Sequence, residues 1–351
     1  MRITRKSLHE AAAQGIVSAA QAAALWEFLA QREGDTPSFR PSHILYYFGG
    51  MIAIGAMTLF ITLGWQQFGG PGLLCISLAY IALAVMLTEV LPHRRGLPIP
   101  AGITGALAVA LVPLAVYALQ HTLGQWPPNA LREDTYRAYH QYIDWRWLVM
   151  ELATLAAGVA ALWRYRLPFM VMPLAVTLWY TSMDLVPMLL GGESGHFYSD
   201  TGKRISTCFG LGMMLAAFRV DLRSTPERDF AFWLYVFGVM AFWGGLTSMD
   251  SHSELGKLAY CGINVLLIAV GAALSRRVFA AFGGIGVALY LGHLSHTVFR
   301  DSLLFPVALS GIGFGVIWLG VKWQRHEAAI GRWGRAFLPA GARAFLESRA
   351  G

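Results

Sequence analysis

Charged side chains are scarce in this chain. Lys, Arg, Asp and Glu together make up 13% of its 351 residues, which is about half the share found in ordinary soluble domains. Too few charges are present to cover the surface of a water-soluble protein of this length. The deficit argues against a soluble globular domain and indicates that most of the chain does not face water.

Cysteine is also scarce, with three residues in the whole chain. Cys75, Cys208 and Cys261 all fall within apolar stretches, and their positions show neither the spacing of metal ligands nor a disulfide framework. We interpret them as small apolar residues of the helices that contain them. The sequence predicts no cofactor and no metal.

A basic patch of the kind that binds nucleic acid is missing. The formal net charge is +7, but no run of Lys and Arg is interleaved with aromatic residues on a polar segment. The basic residues lie instead in short loops between apolar stretches. Nucleic acid is therefore excluded as a partner.

Long apolar stretches are abundant. About 20 apolar residues of helix cross a hydrocarbon core about 30 Å thick, and lipid requires every backbone N–H and C=O to be paired within its own element. The fold class predicted is therefore all-α, a polytopic helical transmembrane bundle. The ten predicted spans are residues 44–64, 71–91, 98–119, 145–163, 168–190, 204–220, 229–247, 256–274, 277–297 and 302–322.

The distribution of basic residues predicts the orientation of these spans. Twenty of the 27 Lys and Arg residues fall on one side of the predicted spans and seven on the other. Cytoplasmic loops carry the excess of Lys and Arg. Both termini are therefore expected in the cytoplasm, with residues 43–323 forming the transmembrane domain.

The two ends of the chain are polar. Residues 1–42 are predicted to form a cytoplasmic helical hairpin and linker, because Ser7 with Glu10 and Ser18 with Gln21 have capping-box spacing and Gly15 suits a helix C-terminus. Residues 1–33 either recruit a cytoplasmic protein partner or pack on the protein's own inner face, and the second interpretation is favoured. Residues 324–351 are basic and amphipathic, which is typical of a tail that binds anionic membrane lipids.

Ionisable and polar residues within spans are the candidates for a functional site, because they are costly in lipid. An outward-facing cavity would suit proton-coupled transport, since buried acids and histidines change protonation readily. Interfacial positions that are simply wet are the favoured alternative, and Asp184 would lie beyond its helix if Pro187 ended it. The candidate residues for a substrate or ion cavity are Glu151, Asp184, Asn264, His293, His296 and Arg300.

Two sequence patterns stand out near the N-terminus. They are Gln14-Gly15-Ile16-Val17-Ser18 with Gln21-Ala22, and Tyr47-Phe48-Gly49-Gly50 through Gly55 to Trp65. These patterns resemble a bacterial family of predicted membrane proteins defined by a domain of unknown function. The likeness covers about the first 90 residues and implies a bacterial inner-membrane protein, with no catalytic residues to carry over. Ten spans with both ends inside are also similar in topology alone to drug/metabolite exporters.

Three functions are compatible with these features. The first is a transporter or permease of a small solute that uses the outward-facing polar cavity. The second is a non-catalytic membrane scaffold that recruits a partner through its N-terminal segment. The third is an intramembrane enzyme acting on lipid-linked or envelope substrates, which would need a convergent acid–base pair. The sequence favours a protein that is not an enzyme.

Overall fold

The computed structural model of the protein is helical in every regular element that it describes, and its described part contains no strand. It describes residues 8, 11–33, 41–95, 97–126, 145–190, 200–223, 229–249, 251, 253–274 and 276–294, with 307, 310, 311, 313, 314 and 318. The helices are α1 (Ala19–Glu33), α2 (Pro41–Arg95), α3 (Pro98–Ala110), α4 (Val112–Thr122), α5 (Trp145–Tyr165), α6 (Val171–Leu190), α7 (Asp200–Asp221), α8 (Phe232–Thr247), α9 (Glu254–Leu274) and α10 (Arg277–His293). The all-α prediction is confirmed.

Four of the described segments are long and apolar enough to cross a membrane. Two further apolar helices, α8 and α10, are shorter. These helices support a membrane location, while the count of ten spans and the cytoplasmic placement of the termini remain predictions. The four candidate spans are Phe68–Pro92, Pro98–Thr122, Trp145–Tyr165 and Glu254–Leu274.

The boundary between the first two predicted spans lies at a glycine. Helix α2 runs from Pro41 to Arg95 with a kink at Gly69, where the backbone is not helical and φ is 62°. Glycine adopts this left-handed conformation without the steric cost that a Cβ would impose. The chain can therefore change direction between residues 44–64 and 71–91 without an intervening polar loop.

The second N-terminal capping box is present as predicted. The Gln21 side chain accepts a hydrogen bond from the Ser18 N–H at 2.9 Å, and the Ser18 hydroxyl oxygen accepts one from the Gln21 N–H at 3.1 Å. Gly15 has a φ of 71° and follows a helical turn, as the predicted helix end requires. The first box, Ser7 with Glu10, lies outside the described residues, as do the tail at 324–351 and most of the span at 302–322. The complete hairpin therefore remains a prediction.

The chain divides into two compact units. One comprises residues 1–128, 152–174 and 227–229, and the other comprises residues 129–151, 175–226 and 230–351. In the first unit, α2 packs on α3 and α4, and the hydroxyls of Thr88 and Thr104 lie 3.0 Å apart. In the second unit, α7 packs on α8, α9 packs on α10, and α8 also contacts α10.

Small residues bring α7 and α8 into close antiparallel contact. A Cβ placed on Gly210 would lie 2.6 Å from the Gly238 carbonyl oxygen, and one on Gly245 would lie 2.7 Å from the Lys203 carbonyl oxygen. The Ser206 hydroxyl donates to the Ala241 carbonyl at 3.0 Å. Close approach through glycine is how helices pack in lipid, where no hydrophobic force drives them together. Gly210, within the span predicted at 204–220, therefore lies on a helix-packing face.

Candidate functional site

Glu151 lies within α5, one of the four candidate spans. It is six residues after Trp145, the first residue of α5, which corresponds to about 9 Å along the helix axis. The Glu151 side chain faces Asp184 of α6. Helix α6 continues to Leu190, so Asp184 is inside a helix, and the alternative that Pro187 ends the helix before Asp184 is wrong. We call Glu151 and Asp184 the acid pair.

Of the two acids in the pair, Glu151 is the more deeply buried. Glu151 is 7% exposed, and neither of its carboxylate oxygens has a partner within conventional hydrogen-bond geometry in the described part of the chain. The polar groups that act on it are the Asp184 carboxyl and the Thr181 hydroxyl. Neither group is a cation. The structure thus brings together two of the six predicted residues.

The Thr181 hydroxyl already uses its hydrogen elsewhere. It donates to the Thr177 carbonyl at 2.9 Å, a bond back to the preceding turn of α6 that threonine often makes in helices. A hydroxyl has one hydrogen and two lone pairs. Thr181 therefore lies beside Glu151 while its hydroxyl is also bonded to its own helix.

Asn264 lies at the centre of a candidate span. It is the eleventh of the 21 residues of α9, about 15 Å along the axis from either helix end, and it is fully buried. Its side-chain oxygen accepts from the Trp243 indole N–H at 3.0 Å, and its side-chain nitrogen donates to the Tyr260 carbonyl at 2.8 Å. A Cβ on Gly286 would overlap the Asn264 carboxamide. Asn264 therefore links α9 to α8 through a hydrogen bond and packs against Gly286 of α10. This arrangement assigns it a role in helix packing.

Asn264→Ala is expected to destabilise the protein through loss of this contact. The expected decrease in the free energy of unfolding is about 1 kcal/mol, since interhelical hydrogen bonds in membranes average about 0.6 kcal/mol with a maximum near 1.7 kcal/mol. Detergent-to-SDS unfolding of wild type, Asn264→Ala, Trp243→Phe and the double variant would measure the coupling. Additive effects of the two single changes would contradict the hydrogen bond between their side chains.

His293 belongs to a cluster at one end of α9 and α10, which we call the surface cluster (Glu254, Lys257 and His293). The Lys257 ammonium donates to Glu254 Oε1 at 2.8 Å and lies 3.1 Å from His293 Nε2. His293 Nε2 is 3.6 Å from Glu254 Oε1, which is beyond a good hydrogen bond. The side chains of Lys257 and His293 are 28% and 26% exposed. His293 is thus part of a partly exposed ionic cluster at a helix end.

His296 and Arg300 lie outside the described residues. Their part in an outward-facing cavity remains a prediction. Asn264 and His293 have the partners named above on α8, α9 and α10, whereas the acid pair and Thr181 lie on α5 and α6.

One buried ion pair was not anticipated from the sequence. Asp221 Oδ1 and Oδ2 accept from the Arg276 guanidinium at 2.6 and 3.2 Å, and the two residues are 0% and 8% exposed. The guanidinium also lies over the Tyr235 ring, 5.3 Å from its centroid, and that ring contacts Phe279 edge-on. The Arg276 charge is therefore neutralised by Asp221 within the second unit.

The sequence carried only a faint signal for this pair. Asp221 lies one residue past the predicted span 204–220, and Arg276 sits between the predicted spans at 256–274 and 277–297. Charges at span ends are usually hydrated, and nothing in the spacing links positions 55 residues apart. Only the packing of α7 beside the junction of α9 and α10 brings them together.

An open groove of about 410 Å³ follows one face of α7. It is lined by Thr201, Arg204, Ile205, Cys208 and Phe209, and it contains none of the six predicted residues. Among the described residues, no group of three or more His, Cys, Asp and Glu side chains could hold a metal ion.

Comparison with protein-family models, with curated proteins and with solved structures gave no match to this chain.

Proposed function

We propose that this protein is a multi-pass membrane transporter of a small polar solute, with the acid pair as its central functional site. The observation that carries the proposal is the burial of Glu151 against Asp184 in a helix that can cross a membrane. The bacterial inner membrane is the location that we propose, with both termini in the cytoplasm.

The energetic cost of the acid pair supports a functional role. An acidic residue at the centre of a spanning helix costs about 2.5–3.5 kcal/mol on insertion scales. A cation that faced Glu151 would offset this cost, but the groups that act on it are a second carboxyl and a hydroxyl. Two carboxylates in contact repel each other when both are ionised. Such groups mark solute and ion pathways in membrane proteins.

The enzyme alternative needs a carboxylate and a histidine within reach of each other and of a substrate. In the surface cluster, His293 Nε2 lies 3.6 Å from Glu254 Oε1 and Lys257 contacts both groups, at a partly exposed helix end. Transport is favoured because neither the enzyme alternative nor the scaffold alternative gives a physical reason for burying Glu151 against Asp184 within a candidate span.

Thr181→Cys is the probe that tests for an aqueous path to the acid pair. The variant is made in a chain whose three cysteines are replaced by alanine, so that the probe is the one reactive thiol and both acids remain. We expect a membrane-impermeant maleimide to modify Cys at this position in proteoliposomes, because a transported solute needs a hydrated route. Labelling would be followed by the mass of the intact protein.

Leu152→Cys is the matched control for this experiment. Leu152 is next to Glu151 in α5, and its side chain is 54% exposed on the apolar surface, so lipid should protect a thiol there. Labelling of Thr181→Cys without labelling of Leu152→Cys is the expected result. Failure to label Thr181→Cys from either side of the membrane would indicate a dry bundle and reject the transport proposal.

A further inference from the structure

We propose that the groove on α7 binds an anionic phospholipid, with the lipid phosphate at Arg204 and one acyl chain against the apolar end of the groove. The inference goes beyond the transport proposal and does not depend on the acid pair. It requires that α7 lies in the membrane, which its packing along the apolar helix α8 supports.

The groove lies on the side of α7 that faces away from α8. Ser206 and Gly210, which contact α8, lie on the opposite side of the helix. Residues three and four positions apart are neighbours on a helix surface, and the lining residues follow that spacing. Arg204 and Cys208 are both exposed, so the groove is open to the surroundings of the protein. Its five lining residues are Thr201, Arg204, Ile205, Cys208 and Phe209.

The lining of the groove changes from polar to apolar along the helix axis. Thr201 and Arg204 lie in the first two turns of α7, and the apolar lining residues follow them. The predicted span at 204–220 begins at Arg204, which places the guanidinium at headgroup depth and Cys208 about 6 Å deeper along the axis. A phospholipid has the same order, because a charged headgroup is followed by an acyl chain. A soluble anion would use only the polar end.

Charge complementarity identifies the headgroup as an anion. Within the part of the chain that the structure describes, the Arg204 guanidinium has no ion-pair partner. The neighbouring cation, Lys203, lies 3.5 Å from the Asp200 carboxylate, which is 81% exposed, so water and salt screen its repulsion of a bound anion. A guanidinium presents its donors in a fork that matches a phosphate group, and the Thr201 hydroxyl adds a further donor.

The size of the groove fits part of a lipid molecule. Its volume of about 410 Å³ is within the range of small-molecule sites, which is about 300–1,000 Å³. The headgroup phosphate and the first part of one acyl chain would fill it, while the rest of the lipid stays in the bilayer. The apolar wall alone gives little selectivity, since lipid tails are as apolar as the side chains that they contact. Discrimination between lipids therefore depends on the charge at Arg204.

Protection of Cys208 from a thiol reagent tests this inference at the groove itself. The full-length chain, with Cys75 and Cys261 replaced by alanine, is purified in detergent, and its modification by a maleimide is followed by the mass of the intact protein. Phosphatidylglycerol added to the micelles should slow the labelling of Cys208, because the acyl chain covers the thiol, whereas phosphatidylcholine should not. Lipid bound by the tail at 324–351 does not contribute, since the labelled thiol lines the groove.

Arg204→Gln should raise the phosphatidylglycerol concentration that halves the labelling rate about five-fold, the effect of about 1 kcal/mol for one cation near an anionic surface. Arg219→Gln is the matched control and should leave that concentration unchanged, because Arg219 is exposed in the last turn of the same helix and does not line the groove. A second control moves the thiol to Leu215, which is 60% exposed on α7 outside the groove. Leu215→Cys with Cys208→Ala should be labelled equally with either lipid. High salt should weaken the protection of Cys208 without any change at Arg204.

Several results would overturn the lipid site. Equal protection by phosphatidylglycerol and phosphatidylcholine, or an unchanged response in Arg204→Gln, would show that the charge is not recognised. Protection by inorganic phosphate alone would indicate a site for a small anion. Protection without lipid that is lost on dilution would identify a second copy of this chain as the occupant of the groove. None of these results bears on the labelling of Thr181→Cys, so the lipid site and the transport function fail separately.

Discussion

Arg276→Met is expected to lower the free energy of unfolding by about 3–5 kcal/mol, the cost of leaving one charge of a buried pair uncompensated. Arg276 is 8% exposed and Asp221 is fully buried. The two bonds at 2.6 and 3.2 Å satisfy both carboxylate oxygens. Methionine fills much of the same volume but supplies no hydrogen bond donor, so the Asp221 carboxylate remains charged and buried.

The measurement is unfolding of the purified protein in mixed micelles of increasing SDS fraction, followed by tryptophan fluorescence. Arg277→Met is the matched control, because Arg277 is the next residue along the chain and is exposed; it should change stability little. The double variant Asp221→Leu with Arg276→Met should recover most of the loss, since an apolar pair of similar volume often replaces a buried ion pair without cost. If Arg276→Met were as stable as wild type, the prediction would be wrong, and water would have to reach the Asp221 carboxylate.

Gly210→Leu is expected to separate α7 from α8, with a loss of about 1–3 kcal/mol, as found when side chains are forced into packed interiors. A Cβ at Gly210 would meet the backbone of Phe242 and lie 2.6 Å from the Gly238 carbonyl oxygen. Backbone atoms within a helix cannot rotate away as a side chain can. The strain must therefore be relieved by moving one helix, which also breaks the bond from Ser206 to Ala241.

Gly212→Leu is the control for this variant. Gly212 is in the same helix, two residues away, and a Cβ there meets nothing within 4 Å. The substitution should be neutral or slightly stabilising, because leucine favours helix more than glycine does. The same SDS titration compares the two variants, and equal stability of both would contradict the close packing of α7 on α8.

The polar residues illustrate what could and could not be predicted from sequence. The sequence identified Glu151 and Asp184 individually as acids within apolar stretches. Whether the two side chains contact each other depends on how α5 packs against α6, which the sequence did not predict. Asn264 was recognisable as a polar residue at mid-span, yet its bonds to Trp243 and Tyr260 assign it to helix packing. His293 was grouped with the acids, whereas the structure places it with Lys257.

The sequence by itself determined the helical form of this chain and indicated a membrane location. Long apolar stretches with few charges are typical of lipid-exposed segments, and lipid favours helices because each backbone group must find its partner within its own segment. Local signals such as the Ser18–Gln21 box were also set by sequence, since they act over one helical turn. The tertiary structure decided which polar groups became neighbours. Asp221 and Arg276 are distant in sequence, so only the packing of whole helices could convert two isolated charges into one buried pair.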